Sequence, residues 1–190
     1  MRQNRYQSNA ERPKPRPTPR PLDAARIEEL ALRYVARFAT SAAKLERYLV
    51  RKLRERGWDG ECEPPIKAIS LRMVAAGYVD DEAFARTKSG GLLRRGYGRR
   101  RIDSALSADG IAEDLRDAVR AGLGEQRGAA LALARKRRFG PYGAALPDRD
   151  LRQKQLAAML RAGHPLDMAR ELVNASSVDA AEIWAAEEDE

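Results

Sequence analysis

The sequence predicts an all-α protein of three tandem three-helix repeats, which together form an elongated, curved helical-repeat structure. Apolar residues recur at helical spacing from Leu22 onward, and no stretch alternates apolar and polar residues as a half-buried strand would. Glycines at 57, 110 and 163 are spaced by 53 residues, and an apolar residue stands four positions before each: Leu53, Leu106 and Met159. A three-helix unit is too small to bury a core alone, so we expect neighbouring units to pack in series.

The first unit shows the signals that start and stop each helix. Its first helix is predicted over residues 25–38. Ser41 caps the second helix, which ends at Gly57 because glycine adopts the left-handed conformation found at helix ends. Pro65 opens the third helix at a position where its missing amide costs nothing, and Gly77 ends it.

The same order of helices then recurs twice along the chain. The predicted helices cover residues 82–93, 99–108 and 112–123 in the second unit, and 125–138, 148–161 and 165–175 in the third. Proline alternates with basic or polar residues between Arg12 and Pro21, which predicts an extended, disordered arm because proline removes amide donors. The predicted organisation is therefore a basic arm (1–22), three repeats (23–79, 80–124 and 125–175) and an acidic tail (176–190).

Charge is unevenly distributed around a formal net charge of +8. Residues 1–22 carry six basic side chains and one acidic one, whereas residues 179–190 carry six acidic and no basic side chains. A basic body indicates a polyanionic partner, and a surface tuned for solubility is the alternative. Neither terminal segment has an apolar stripe adequate for docking, so both are expected to be mobile and dispensable for folding.

Residue types that support catalysis or metal binding are scarce. Cys62 and His164 are the only cysteine and histidine, which excludes a disulfide framework and the familiar zinc cages. The chain has no HExxH motif and no Walker loop, so we expect no enzymatic activity, no metal and no cofactor. Asp80 and Asp81 precede a predicted helix, where capping is favoured over metal binding. No apolar run of membrane length and no secretory signal is present, which predicts a cytoplasmic protein, expected to be a monomer.

A strongly basic stretch includes the segment RRGYGRRRI at residues 94–102. Seven cations and no acid lie between Ala83 and Ile102: Arg86, Lys88, Arg94, Arg95, Arg99, Arg100 and Arg101. The last three fall in the first turn of a predicted helix, where cations oppose the helix dipole. An i,i+4 pair with Asp103 relieves only Arg99, so a bound phosphate is the expected compensation. Tyr97 either packs under the turn or stacks on a base.

A second basic cluster closes the first helix of the third unit. It consists of Arg135, Lys136, Arg137 and Arg138. Cations are favourable at a helix C-terminus, so this cluster is weaker evidence for a partner than the arginines of residues 94–101.

Three segments resemble the motifs of one family. GYVDDEAFAR followed by RRGYGRRRIDSAL resembles the central signature of RecX, the bacterial regulator of the RecA recombinase. SAAKLERYLVRKLRERG resembles the first-repeat motif of that family, and LRQKQLAAMLRAGHP its last-repeat motif. The resemblance covers about residues 25–173. It departs at Lys44, where an acid is usual, and at His164, where an aromatic residue is usual.

The resemblance implies a non-catalytic protein that binds along the groove of the RecA filament on single-stranded DNA. Such proteins lower the ATPase, strand-exchange and coprotease activities of RecA, and thereby modulate recombination and the SOS response. The basic residues singled out above, together with Tyr97, are then candidates to contact DNA phosphates or acidic RecA surfaces. Two alternatives stay open: a stand-alone helix-turn-helix DNA-binding protein with its recognition helix starting at Arg99, and a helical-repeat scaffold for another protein.

Overall fold

The computed structural model describes residues 20–187, which fold into ten α-helices and one short 3-10 helix at Gly140–Tyr142. Within these residues the only extended pairing is a single bridge between Leu22 and Trp58, so the predicted all-α class is confirmed. The helices are α1 (Ala24–Arg37), α2 (Ala42–Arg56), α3 (Ile66–Ala75), α4 (Asp81–Arg94), α5 (Arg99–Ala108), α6 (Glu113–Ala118), α7 (Leu123–Arg137), α8 (Arg149–Arg161), α9 (Leu166–Asn174) and α10 (Val178–Ala186).

The described helices bury three separate apolar clusters. We call α1–α3, α4–α6 and α7–α9 the first, second and third triplets, and each cluster draws on one of them. Fully or almost fully buried residues include Ile27, Leu49 and Ile69 in the first, Ala85, Leu106 and Ile111 in the second, and Met159, Leu172 and Val173 in the third. Each triplet therefore has its own small core, as expected for a serial repeat. The repeat boundaries at 79/80 and 124/125 stay a prediction.

The helix ends follow the signals in the sequence. Gly57, Gly110 and Gly163 have φ values of 80°, 80° and 97°, so the predicted glycine stops are confirmed. The Asp80 side chain accepts a hydrogen bond from the amide of Ala83 at 2.8 Å at the start of α4. Asp81 instead accepts from the amide of Ala42 at 2.8 Å, and so caps the helix of a neighbouring triplet. Both aspartates therefore serve as helix caps, Asp80 on the helix that the sequence predicts and Asp81 on a different one.

Helix α6 is shorter than the predicted helix over residues 112–123. It ends at Ala118, and the amide of Arg120 closes a turn onto the carbonyl of Asp117 at 3.1 Å. Leu123, predicted as the last residue of this helix, is the first residue of α7. The chain reverses at Gly122, whose amide donates to the Glu125 carboxylate at 3.2 Å. A local cap therefore overrides the apolar spacing.

The structure corrects the expectation that the terminal segments do not dock. Val178–Ala186 forms α10, which packs on α7, with Ala181 buried and Trp184 against the third core. At the other end Leu22 is fully buried, and its amide donates to the carbonyl of Gly57 at 3.0 Å. A few apolar residues are enough to dock each terminal segment, because the neighbouring triplet provides a surface on which they pack. The predicted disorder of residues 1–19 and 188–190 lies outside the described residues.

Candidate functional site

The second helices of the three triplets are joined end to end. The amide of Gly98, at the start of α5, donates to the carbonyl of Ala162, at the end of α8, at 2.9 Å. The hydroxyl of Ser41, at the start of α2, donates to the carbonyl of Asp109, at the end of α5, at 2.6 Å. Asp109 and Ala162 each immediately precede one of the periodic glycines, so the same arrangement is made twice. We call the Ser41–Asp109 contact region the first joint and the Gly98–Ala162 contact region the second joint.

The glycines of the RRGYGRRRI segment are required by the second joint. A Cβ atom on Gly98 would lie 2.4 Å from the carbonyl carbon of Gly163. A Cβ atom on Gly96 would lie 2.9 Å from the backbone nitrogen of Leu133 in α7, and Gly96 also has a φ of 83°. Both glycines are buried. This turn is therefore a tightly packed contact between triplets and is not a solvated loop.

His164 belongs to the same joint. It is fully buried, and its Nε2 atom lies 2.9 Å from the carbonyl oxygen of Gly96. Its Nδ1 atom is buried with no hydrogen-bond partner among the described residues. Burial lowers the pKa of this imidazole, and the hydrogen bond to Gly96 opposes that shift only in part. His164 is thus a neutral packing residue here.

The arginines in the first turn of α5 have an internal compensation. The amides of Gly98 and Arg100 donate to the carbonyls of Ala162 and Gly163, so the negative end of the α8 dipole faces the positive end of α5. A bound phosphate is therefore not needed to offset the charge of these arginines. The predicted pair between Asp103 and Arg99 is also wrong. Asp103 instead lies 3.2 Å from the Nε atom of Arg116 in α6, which comes close when α6 folds onto α5.

Eight of the twelve predicted site residues are exposed cations with no carboxylate within 4.0 Å in the described part of the chain. Five lie at the second joint and three at the end of α7: Arg94, Arg95, Arg99, Arg100, Arg101, Lys136, Arg137 and Arg138. Leu133, which contacts Gly96, precedes Lys136 by about one helical turn. The end of α7 therefore lies beside the second joint, and the two basic clusters of the sequence fall in one region.

The other four predicted residues are engaged within the molecule. Arg86 pairs with Glu82 along α4, and Arg135 pairs with Glu182 of α10 at 2.5 Å, which raises the pKa of Arg135. Lys88 pairs with Asp109 and therefore belongs to the first joint. Tyr97 is partly buried against the second core, which agrees with packing under the turn.

A groove of about 540 Å³ adjoins the second joint. Arg99 and Arg100 line it, as do Arg116 of α6 and Arg120, which lies just after the end of α6. Arg116 pairs with Asp103 and Arg120 pairs with Asp117, so the unpaired charges that line the groove are Arg99, Arg100 and the acid Glu113. The sequence does not single out Arg116 and Arg120, because each lies near acids and outside any run of cations. Across residues 20–187, no three His, Cys, Asp or Glu side chains cluster as metal ligands, and no helix is long and apolar enough to cross a membrane.

Because its three-helix units are joined end to end, this is an all-α helical-repeat protein. It carries unpaired arginines at one of its joints. Residues 80–119 match the family model of the second three-helix domain of RecX. Two curated proteins named regulatory protein RecX are each 30% identical: the Myxococcus xanthus protein over 83% of this chain and 89% of its own length, and the Agrobacterium fabrum protein over 88% and 91%. The chain therefore belongs to the RecX family of regulatory proteins. The crystal structure of RecX from Lactobacillus salivarius shares the fold, with a TM-score of 0.62 at 19% identity over 79% of this chain and 94% of that one.

Proposed function

We propose that this protein binds the RecA filament on single-stranded DNA and lowers its ATPase, strand-exchange and coprotease activities. In this role it modulates recombination and the SOS response in the cytoplasm and acts without a catalytic step of its own. The proposal rests on the membership of this chain in the RecX family of regulatory proteins. The unpaired arginines of the second joint support it, because they offer charge to a polyanionic partner without first breaking an internal ion pair.

The end-to-end joints also suit a filament as the partner. Each joint fixes one triplet relative to the next through hydrogen bonds to backbone carbonyls, so the cations at residues 94–101 and 136–138 are held on a semi-rigid body. A partner whose anionic groups repeat along an axis would bind these cations with little loss of conformational entropy, because the cations are already held in place relative to one another. The arginines then have two types of contact available, DNA phosphates and acidic side chains of RecA.

The packing argues against the rival function of a stand-alone helix-turn-helix protein. That function needs the N-terminus of α5 in a major groove, free to place side chains on base edges. The amides of Gly98 and Arg100 are instead occupied by α8, and the first turn carries arginines followed by Asp103 and Ser104, with no asparagine or glutamine.

A titration against RecA tests the proposal. The purified protein is added to RecA on single-stranded DNA, and ATP turnover is measured along with turnover by the protein alone. We expect no turnover by the protein alone and a fall in RecA turnover at substoichiometric ratios if it caps or bridges filaments. RecA turnover that stays unchanged across the full titration contradicts the proposal. Binding to DNA in the absence of RecA, with sequence preference, would favour the helix-turn-helix alternative.

A further inference from the structure

A third basic segment reaches the second joint from α8. Residues 151–166 carry three cations and no acid, and the last of these cations, Arg161, is exposed in the final turn of the helix. Within residues 20–187, no carboxylate lies within 4.0 Å of Arg161. The two basic clusters visible in the sequence do not include it, because neutral residues separate the cations of this segment.

The packing of the joint places Arg161 close to Arg101 of α5. A Cβ atom on Gly163 would lie 2.7 Å from the Cβ atom of Arg101 and closer still to its backbone nitrogen. Gly163 follows Arg161 by two residues, which is at most about 7 Å of chain. Two exposed arginines from different triplets therefore start at neighbouring points of one junction.

The segments that meet at this junction are basic and contain no acid. Residues 94–102 carry five cations, residues 135–138 carry four, and Arg161 adds one from α8. Among the described residues only Arg135 of this set forms an ion pair, with Glu182. Three acids line the groove beside Arg99 and Arg100, but neither Arg101 nor Arg161 lines that groove. The junction therefore has an excess of positive charge outside the groove.

The dipole of α8 accounts for only part of the position of Arg161. A cation in the last turn of a helix is stabilised by the free carbonyl groups at that end. At the end of α8, however, the carbonyls of Ala162 and Gly163 accept hydrogen bonds from the amides of α5 at 2.9 and 3.2 Å. Less negative potential is left for Arg161 than at an open helix end, so an external anion is the stronger attraction.

The surroundings of these arginines fit a phosphate backbone better than an acidic protein surface. The centre of a protein interface is rich in aromatic and apolar side chains. The aromatic rings near these cations, Tyr97, Phe139 and Tyr142, pack on the second and third cores. Leu160 is 38% exposed, and a single exposed leucine is ordinary for a protein surface. Phosphate contacts need only cations, and their binding energy does not depend on the bases.

We propose that Arg161 is a DNA-binding residue, which together with Arg101 contacts phosphates of a single strand that crosses the second joint. The proposal rests on the proposed function, because it decides between the two contacts open to the arginines of this joint, DNA phosphates and acidic side chains of RecA. It also extends the binding surface from the second triplet onto α8 of the third. Recognition through phosphates alone predicts no preference among bases.

Binding of the full chain to a 20-mer oligothymidylate without RecA, measured over a range of salt concentrations, tests this assignment. Arg161→Gln should flatten the dependence of log K on log salt by about 0.7, the amount expected for one phosphate contact on a single strand. Arg101→Gln should do the same, and the double variant should flatten it by about 1.4. Arg161→Lys keeps the charge and should keep the salt dependence of the parent.

Arg149→Gln is the matched control. Arg149 is an exposed arginine at the opposite end of α8, about 18 Å away along the helix, and it lies between Asp148 and Asp150. Its replacement removes the same charge and should leave the salt dependence of the parent unchanged. Because Arg149 and Arg161 are both exposed, neither change should prevent folding, and circular dichroism melting verifies this.

Several results would overturn the assignment of Arg161. The salt dependence of the parent in Arg161→Gln, with or without a lower melting temperature, would limit this arginine to a role in the stability of α8. Equal flattening by Arg149→Gln would indicate a general charge effect. If Arg161→Gln weakens binding to the RecA filament but not to the free oligonucleotide, Arg161 contacts RecA, and the proposed function stands without this DNA contact. The predicted flattening in a protein that does not inhibit RecA would instead support the DNA contact and contradict the proposed function.

Discussion

The amide of Gly98 donates a hydrogen bond to the carbonyl oxygen of Ala162 at 2.9 Å, and these residues lie 64 positions apart in the chain. Through this contact the exposed arginines of the α4–α5 turn are placed on the rigid junction of two triplets. Close approach of the two backbones is possible because neither Gly98 nor Gly163 has a side chain. The geometry of the basic surface therefore depends on the absence of two Cβ atoms.

Substitution of Gly98 tests how strongly this joint couples the triplets. Gly98 has a φ of −85°, so alanine brings no backbone strain, and any effect comes from the contact with Gly163. We expect Gly98→Ala to lower the free energy of unfolding by about 1–3 kcal/mol through overpacking. That corresponds to several degrees in a thermal melt.

Gly128→Ala is the matched control for this change. Gly128 lies inside α7 with nothing within 4 Å of an added Cβ atom, so alanine should stabilise the helix by about 0.5–1 kcal/mol. If Gly98→Ala melts at or above the parent temperature, the second joint is looser than the structure indicates.

The sequence predicted the elements better than the contacts between them. Helix positions followed from apolar spacing and from glycines such as Gly57, which act locally. The roles of Asp81 and His164 did not follow, because each acts on a partner far away in the chain, Ala42 and Gly96 respectively. The spacing of apolar residues does not show which helix end packs against which other helix end.

The same distinction explains the errors at the site. The basic run at residues 94–101 was visible, but its compensation by the carbonyls of Ala162 and Gly163 is a tertiary contact. The docking of α10 was missed because the acidic composition of residues 179–190 outweighed its packing residues Ala181 and Trp184. Amino-acid composition shows the charge of a segment, but it does not show which surface of the protein a helix packs against.

Stability should fall as the pH drops below the ordinary pKa of histidine. Burial lowers the pKa of His164 in the folded state below the unfolded value of about 6.5, so in the window between the two values the unfolded chain binds more protons. The free energy of unfolding is therefore fully retained above pH 6.5 and decreases as the pH falls through that window. Denaturant melts between about pH 5 and 8 measure this directly.

His164→Phe provides the comparison for this prediction. It removes the only histidine of the chain, so the histidine-dependent slope should disappear even though the Gly96 carbonyl loses its partner and the overall stability is lower. A slope of equal size in both proteins would mean that another group is responsible.

Helix α10 is expected to shield part of the basic surface of α7. Glu182 pairs with Arg135, and Glu187 lies 3.5 Å from Arg127, whose guanidinium also stacks on Trp184. Glu182→Gln should free Arg135 while Trp184 keeps the helix docked. We expect tighter binding to single-stranded DNA, with a salt dependence steeper by up to about 0.7.

Asp179→Asn removes the same charge from α10 at a residue with no ion pair among residues 20–187. It should change DNA binding less than Glu182→Gln does. Equal effects of the two substitutions would indicate a general charge effect and would exclude specific shielding of Arg135.

Replacement of Tyr97 should affect the stability of the fold more than it affects binding to DNA. Its ring is partly buried against the second core, between two glycines that are themselves buried. Tyr97→Ala should lower the free energy of unfolding by about 2 kcal/mol, since most of an aromatic side chain loses its packing. Tyr97→Phe, which keeps the ring, should melt close to the parent. Weaker DNA binding at unchanged stability would instead identify Tyr97 as a stacking residue.

Replacement of Arg99, Arg100 and Arg101 by glutamine should separate folding from function. Folding should be little changed, because the α8 carbonyls already offset the positive end of the α5 dipole and the bonds of α5 to α8 use only backbone atoms. Binding to the RecA filament on single-stranded DNA should weaken, and its salt dependence should flatten by up to about 0.7 for each arginine that touches a phosphate in the parent. The control replaces Arg33, Arg51 and Arg54 of the first triplet by glutamine, which removes the same charge far along the chain from the second joint. A triple variant of α5 that unfolds more easily, yet inhibits RecA with the affinity and salt dependence of the parent, would show that these arginines serve the fold and that the partner binds elsewhere.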